Sequence, residues 1–191
     1  MAAELRSYLL NGGTALALPR EPRIEDDALA GLESLAAADR ERITSVVLSR
    51  TGIRGPGLTY LGCLPRLRCL YLNATPVGDS APLSHLPPSL EGINLDDTEG
   101  GDDIIRGLCR MPKLAWVCIR RTRVTDHGLY LLGRSIMLRE CSCEGALISP
   151  TARVRIANAM AMNASTFLSS TRSLAGAVAT ELMRLRALVA E

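Results

Sequence analysis

The stretch VCIRRTRVTDHGLYLLG, residues 117–133, gathers three arginines, an Asp126–His127 pair and a glycine beside Trp116, the only tryptophan of the chain. A carboxylate next to an imidazole could orient a general base. Arginines beside an indole could hold an anionic group or a protein partner. Cys141-Ser142-Cys143 has the look of a pair of thiolate ligands, but a zinc site needs four donors and the chain has only two His. GIRGPGLTYLG, residues 52–62, has the closely spaced glycines of a phosphate cradle and lacks the Lys-Ser/Thr that would complete one. No nucleophile is paired with a base, so the sequence argues against an enzyme, a metal centre or a cofactor.

What must position these residues is a repeat. ITSVVLSRTGI starts at Ile43, LRCLYLNATPV at Leu67, LEGINLDDTEG at Leu90, LAWVCIRRTRV at Leu114 and LRECSCEGALI at Leu138, so the starts lie 24, 23, 24 and 24 residues apart. Each fits L-x-x-L-x-L-x-x-T-x-V/I, with Gly100 as a gap and Cys141, Cys143 and Ala146 as substitutes in the last copy. Alternation inside each copy predicts a short strand, near 46–48, 70–72, 93–95, 117–119 and 141–143. A turn of this length returns the chain beside its own previous strand, ~4.8 Å away, and stacked units share one core that none could form alone. The cysteines of the last copy then face inward as small hydrophobes.

This pattern resembles the leucine-rich repeat family, in the variant whose second half reads T-D-x-G-L-x-x-L, over about residues 14–150. The resemblance implies an α/β fold: a right-handed solenoid with a concave parallel sheet inside and short helices or turns outside. It also implies a protein-binding scaffold.

The register reinterprets the Asp–His pair. Two residues past each V/I position stand Asp26, Gly55, Asp79, Asp102 and Asp126, which predicts an N-cap at the start of each outer turn. His127 is then a solvated neighbour. The threonines at 51, 75, 98 and 122 should bond backbone at the bend after each strand. Residues 1–42 are expected to form an N-terminal cap with one irregular repeat, AAELRSYLL being a helix stopped by Asn11-Gly12-Gly13. Residues 43–149 hold the five repeats. Residues 150–191 are expected as two helices, 150–163 and about 170–190, joined by STFLSSTRS, with Ser149-Pro150 as N-cap and N1. Leu174, Val178, Leu182, Leu185 and Val189 make an apolar stripe that either covers the last repeat or pairs with a partner or a second copy.

Partner residues are sought at the x positions, which leave the strands on the concave side. There the sequence places Tyr71, Asn94, Asp96, Trp116, Cys118, Arg120 and Arg121, with the two aromatics expected to be exposed. Aromatics are only 3% of the chain, so two on one face is notable. Asp96, Arg120 and Glu144 also form adjacent rungs of a charge ladder that could satisfy itself. Net charge is +2, divided as −3 over residues 1–42, −1 over 43–112 and +6 over 113–191. The basic C-terminal part leaves a second reading open, a nucleic-acid-contacting member of a ribonucleoprotein. The cations are Arg but for Lys113, which either serves binding or reflects a coding bias. Free cysteines and the lack of a secretory signal or an 18-residue apolar run suggest an intracellular, cytoplasmic setting, organellar import aside.

Overall fold

A computed structural model describes residues 2–18 and 20–168. Seven strands form one sheet in sequence order: β1 (Leu9–Leu10), β2 (Ala15–Ala17), β3 (Ser45–Val47), β4 (Cys69–Tyr71), β5 (Gly92–Asn94), β6 (Trp116–Cys118) and β7 (Glu140–Ser142). β2 to β7 run parallel, and β1 joins β2 antiparallel. The register sets Val46, Leu70, Ile93, Val117 and Cys141 opposite one another, the alignment that the repeat spacing demands. Each strand begins one residue earlier than the leucine pattern alone suggests, since pairing starts at Ser45, Cys69, Gly92, Trp116 and Glu140.

The core is a stack of leucine columns. Ile43, Leu67, Leu90, Leu114 and Leu138 are fully buried, as are Leu48, Leu72, Leu95 and Ile119. Cys143 joins this core and Cys141 packs against it, as expected of inward positions. Burying a side chain of this size contributes about 1.5–3 kcal/mol, which explains why a fold so poor in aromatics can hold together.

Two columns make the bend after each strand. Thr51, Thr75, Thr98 and Thr122 each donate Oγ1 to the carbonyl three residues back, at 2.6–2.7 Å. The residue just before, Arg50, Ala74, Asp97 or Arg121, takes a left-handed backbone with φ of 53–61°, and Gly145 takes it in the last copy with φ 73°. A side chain there costs roughly 1–2 kcal/mol, so four of five repeats carry strain that the stacked strands must hold.

The outer segments change character along the chain. Asp26–Ser34, Pro56–Cys63 and Leu83–His85 are 3-10 helices. They are followed by α-helices at Asp102–Leu108 and Asp126–Leu132, here α3 and α4. Earlier in the chain lie α1 (Ala2–Ser7) and α2 (Ala37–Arg42). The N-terminal helix thus stops at Ser7, and Leu9–Leu10 becomes a strand because its backbone finds β2 to pair with.

At the other end α5 (Pro150–Leu168) continues through STFL, which sequence reading assigns to a joint. Polar β-branched residues are weak breakers, and nothing in that stretch forbids a helix as Pro or Gly would. Ser149 Oγ accepts from the Ala152 N–H at 3.2 Å, so the expected N-cap is in place. Ile156 enters the core, with Ala152 and Met160 packed against it. The expected helix 170–190 lies outside the described residues. No helix among the described residues is long and apolar enough to cross a membrane.

Candidate protein-binding face

The aspartates do cap, but not their own turn. Asp79 Oδ1 accepts from the N–H groups of Gly101 at 2.7 Å and Ile104 at 3.1 Å, so it supplies the cap of α3 from one repeat earlier. Asp26 likewise accepts from Arg54, Gly55 and Gly57 at 2.8–3.1 Å. Asp102 holds Thr125 by both N–H and hydroxyl, at 2.9 and 2.6 Å, and Thr125 Oγ1 accepts in turn from the His127 N–H. Asp126 repeats the relay onto Ser149, at 2.7 and 2.6 Å. The expectation that Asp126 caps its own helix is therefore corrected: Thr125 is the N-cap of α4, and the carboxylate reaches across to the next repeat because a residue already inside the first turn points outward along the stack. Its engagement with Ser149 holds the Asp126 carboxyl below its ordinary value of 3.8. Where Gly55 replaces the acid, the next outer segment is the shortest, Leu83–His85. Asp126–His127 is a joint between repeats.

The concave side differs from expectation in burial, not in facing. Trp116, Tyr71 and Cys118 lie apart from the main core, on the other face of the sheet, in a second apolar cluster with Val47 and Cys69 against it. Yet Trp116 is only 4% exposed, Tyr71 3% and Cys118 6%. The exposed aromatics read from the sequence are thus buried. One reason is Gly92: a Cβ there would stand 1.7 Å from the Trp116 ring, so the indole lies down over the neighbouring strand. The Tyr71 and Trp116 rings meet tilted at 40°, centroids 5.8 Å apart, an attractive aromatic geometry. Gly92, Val47 and Cys69 belong to the same outward-facing columns but were not among the residues assigned to the site. The available signal was the one glycine in its column, next to the one tryptophan.

The charged columns lie just beyond. Asp96 is buried; its carboxylate accepts from the Arg120 N–H at 2.7 Å and from Arg120 Nε at 2.8 Å. Asn94 Oδ1 accepts from the Asp96 N–H at 2.8 Å, and Ser49 donates to Asn73 at 2.6 Å, two polar links along the same edge. Arg121 pairs with Asp97 through Nε and Nη2, and this hydrogen bonding, against a smaller opposing effect of burial, lowers the Asp97 carboxyl below its ordinary value. The ladder of opposed charges therefore forms between the fourth and third copies. Both guanidinium groups stay substantially exposed, at 45% and 59%.

Among the remaining thiols, Cys143 is lowered to about 7 by its hydrogen bond with Cys141, with Arg153 helping. Cys141 moves the opposite way, by that bond first and burial second. Among the described residues no group of His, Cys, Asp and Glu could hold a metal ion.

No protein-family model matches this sequence, and no curated protein matches it. Solved structures match by fold. A chain described as leiomodin-1 actin-binding site 2 superposes with a TM-score of 0.56 at 12% identity, over 92% of this chain and 88% of that one. An internalin and a secreted internalin-like protein, both of Listeria monocytogenes, give TM-scores of 0.41 and 0.46 at 16% and 14% identity. They cover 60% and 82% of this chain, which spans 39% and 63% of theirs. The parallel sheet of stacked repeats, with its leiomodin-like neighbour, is a fold of the leucine-rich-repeat type.

Proposed function

We propose that this chain is a non-catalytic protein-interaction scaffold, or a structural subunit of a larger assembly, that docks a protein on its concave face. Residues 1–42 and the helix from Pro150 onward close the two ends of the right-handed stack, leaving that face for recognition. The observation that carries the reading is the Tyr71–Trp116–Cys118 cluster, an apolar patch separate from the core that stacking leucines does not require. Arg120 and Arg121 frame it, held in place by Asp96 and Asp97 and open to an incoming carboxylate. Asn94 completes the set of seven residues assigned to the site. That the neighbouring fold is described as an actin-binding site supports a protein as the kind of partner.

The basic C-terminal part keeps nucleic acid as the second reading, with a +6 balance over residues 113–191. Affinity capture from the native cell, run beside retention on immobilised RNA at rising salt, separates the two. The scaffold reading expects a protein that survives nuclease treatment and is lost with Arg120→Glu/Arg121→Glu. Salt-sensitive RNA retention lost with the same substitutions, and no such protein, would overturn it.

A further inference from the structure

On the outer side of the stack, α4 and α5 touch without closing on each other. Gly133, the C-cap of α4, lets α5 approach: a Cβ there would stand 3.1 Å from Ile156 Cδ1. Elsewhere along the seam α5 presents the small side chains of Ala152 and Ala159, and a cleft of about 450 Å³ opens between the helices. Its floor is apolar, with Leu129 1% and Ile156 4% exposed. Tyr130 stands in the lining at 63% exposure. Four residues past the aspartate the preceding repeat carries Arg106, so the stack itself does not call for an aromatic at this position.

We propose that this cleft binds a small amphipathic carboxylate, its apolar body on Leu129, Tyr130 and Ile156 and its carboxylate between Arg134 and Arg155. The charges of the lining carry the choice of ligand. They are Asp126, Arg134 and Arg155. Asp126 already spends both carboxylate oxygens on Ser149. Arg155 lies near enough to add to the lowering that Ser149 imposes on that carboxyl, but not as a direct ion pair. Among the described residues, neither the Arg134 nor the Arg155 guanidinium is spent on a carboxylate or a carbonyl, and both residues are exposed. Two cations against one anion leave the lining at +1, which one carboxylate neutralises and a phosphate ester, at about −1.5 to −2, would overshoot. The planar fork of an arginine fits a carboxylate through two parallel hydrogen bonds. The volume and the mostly apolar lining with a few convergent polar groups are those of a small-molecule site. The floor supplies affinity for the body, and the two arginines fix its direction.

The cleft lies away from the concave sheet, so this inference goes beyond the concave-face reading, and neither result decides the other. Its test needs no protein partner. The full chain, with its Ile, Leu and Val methyls labelled, is titrated with sodium octanoate by calorimetry and NMR. Binding should saturate at one equivalent and shift the Leu129 and Ile156 methyl signals. From hexanoate to octanoate it should tighten about fourfold per added methylene. Arg134→Gln/Arg155→Gln should weaken octanoate at least tenfold and leave octanol, which has the same body without the charge, unchanged. Ala152→Leu/Ala159→Leu, which fills the cleft and keeps both arginines, should abolish binding of both. Arg54→Ala/Arg66→Ala removes the same charge from two exposed residues of earlier repeats and should change neither. A cooperative melt shows each variant folded. Heat that never saturates would overturn the inference, and so would methyl shifts at Val47 in place of Ile156. Octanoate held equally well by Arg134→Gln/Arg155→Gln would overturn it too, because the cleft would then select no charge. Octyl phosphate bound tenfold tighter than octanoate would do the same, because the site would then suit a dianion.

Discussion

At the scale of single residues, the aspartate relay makes the sharpest forecast. Asp102 satisfies the N–H and the hydroxyl of Thr125 from one repeat away, whereas its neighbour Asp103 only pairs with Arg106 at the surface. Asp102→Ala should therefore destabilise by about 1–3 kcal/mol, the cost of leaving such groups unpaired. Asp103→Ala should cost about 0–1 kcal/mol. Urea unfolding of the two variants checks the contrast. Two carboxyls also tie stability to pH. Asp97 and Asp126 both titrate below their ordinary 3.8 in the folded chain. A group depressed on folding adds stability that is full above its unfolded value and is lost as pH falls through the folded one. Acid unfolding should therefore steepen below about pH 4, and Asp97→Asn and Asp126→Asn should each flatten that limb. Equal acid limbs in wild type and both variants would contradict it. The acid column was legible in the sequence because four chemically identical residues recur in register. Its direction was not, since a cap for one's own turn and a cap for the next turn leave the same pattern of letters.

At the scale of the element, the left-handed column after each strand was invisible from the sequence. Arg50, Ala74, Asp97 and Arg121 have no chemistry common to all four, and only Gly145 betrays the conformation. The leucine and threonine columns, by contrast, were plain, because each position has one chemical job that few residue types can do. The strain is measurable. Ala74→Gly removes a Cβ from a residue at φ 56° and should be neutral to stabilising by up to about 1 kcal/mol, the relief partly offset by a freer unfolded chain. Gly145→Ala should destabilise by about 1–2 kcal/mol, because a Cβ there is strained and would also stand 2.9 Å from the Arg121 side chain. Thermal melts of the two variants should move in these directions; a stabilising Gly145→Ala would mean that the bend is not held as described.

At the scale of the whole molecule, the repeat spacing dictated nearly everything about the fold and little about the face. It gave five of the six parallel strands in register, a leucine core and a column of aspartates on the outer side. That Trp116 points away from the core followed from Leu114, Val117 and Ile119 pointing in, but its burial depends on Gly92 and on groups distant in sequence, which periodicity does not encode. The central claim is that recognition uses this face, and charge reversal tests it without disturbing the core. Arg120 and Arg121 are exposed on the concave edge, while Arg134 and Arg155 line the cleft between α4 and α5 on the outer side. The measurement is the affinity of the captured partner for wild type, for Arg120→Glu/Arg121→Glu and for Arg134→Glu/Arg155→Glu, each shown by its melt to be folded. The concave pair should lose affinity about tenfold or more, mostly at low salt, as interfacial charges do, and the outer pair should leave it unchanged. A loss confined to the outer pair would place recognition on the convex side and contradict the claim.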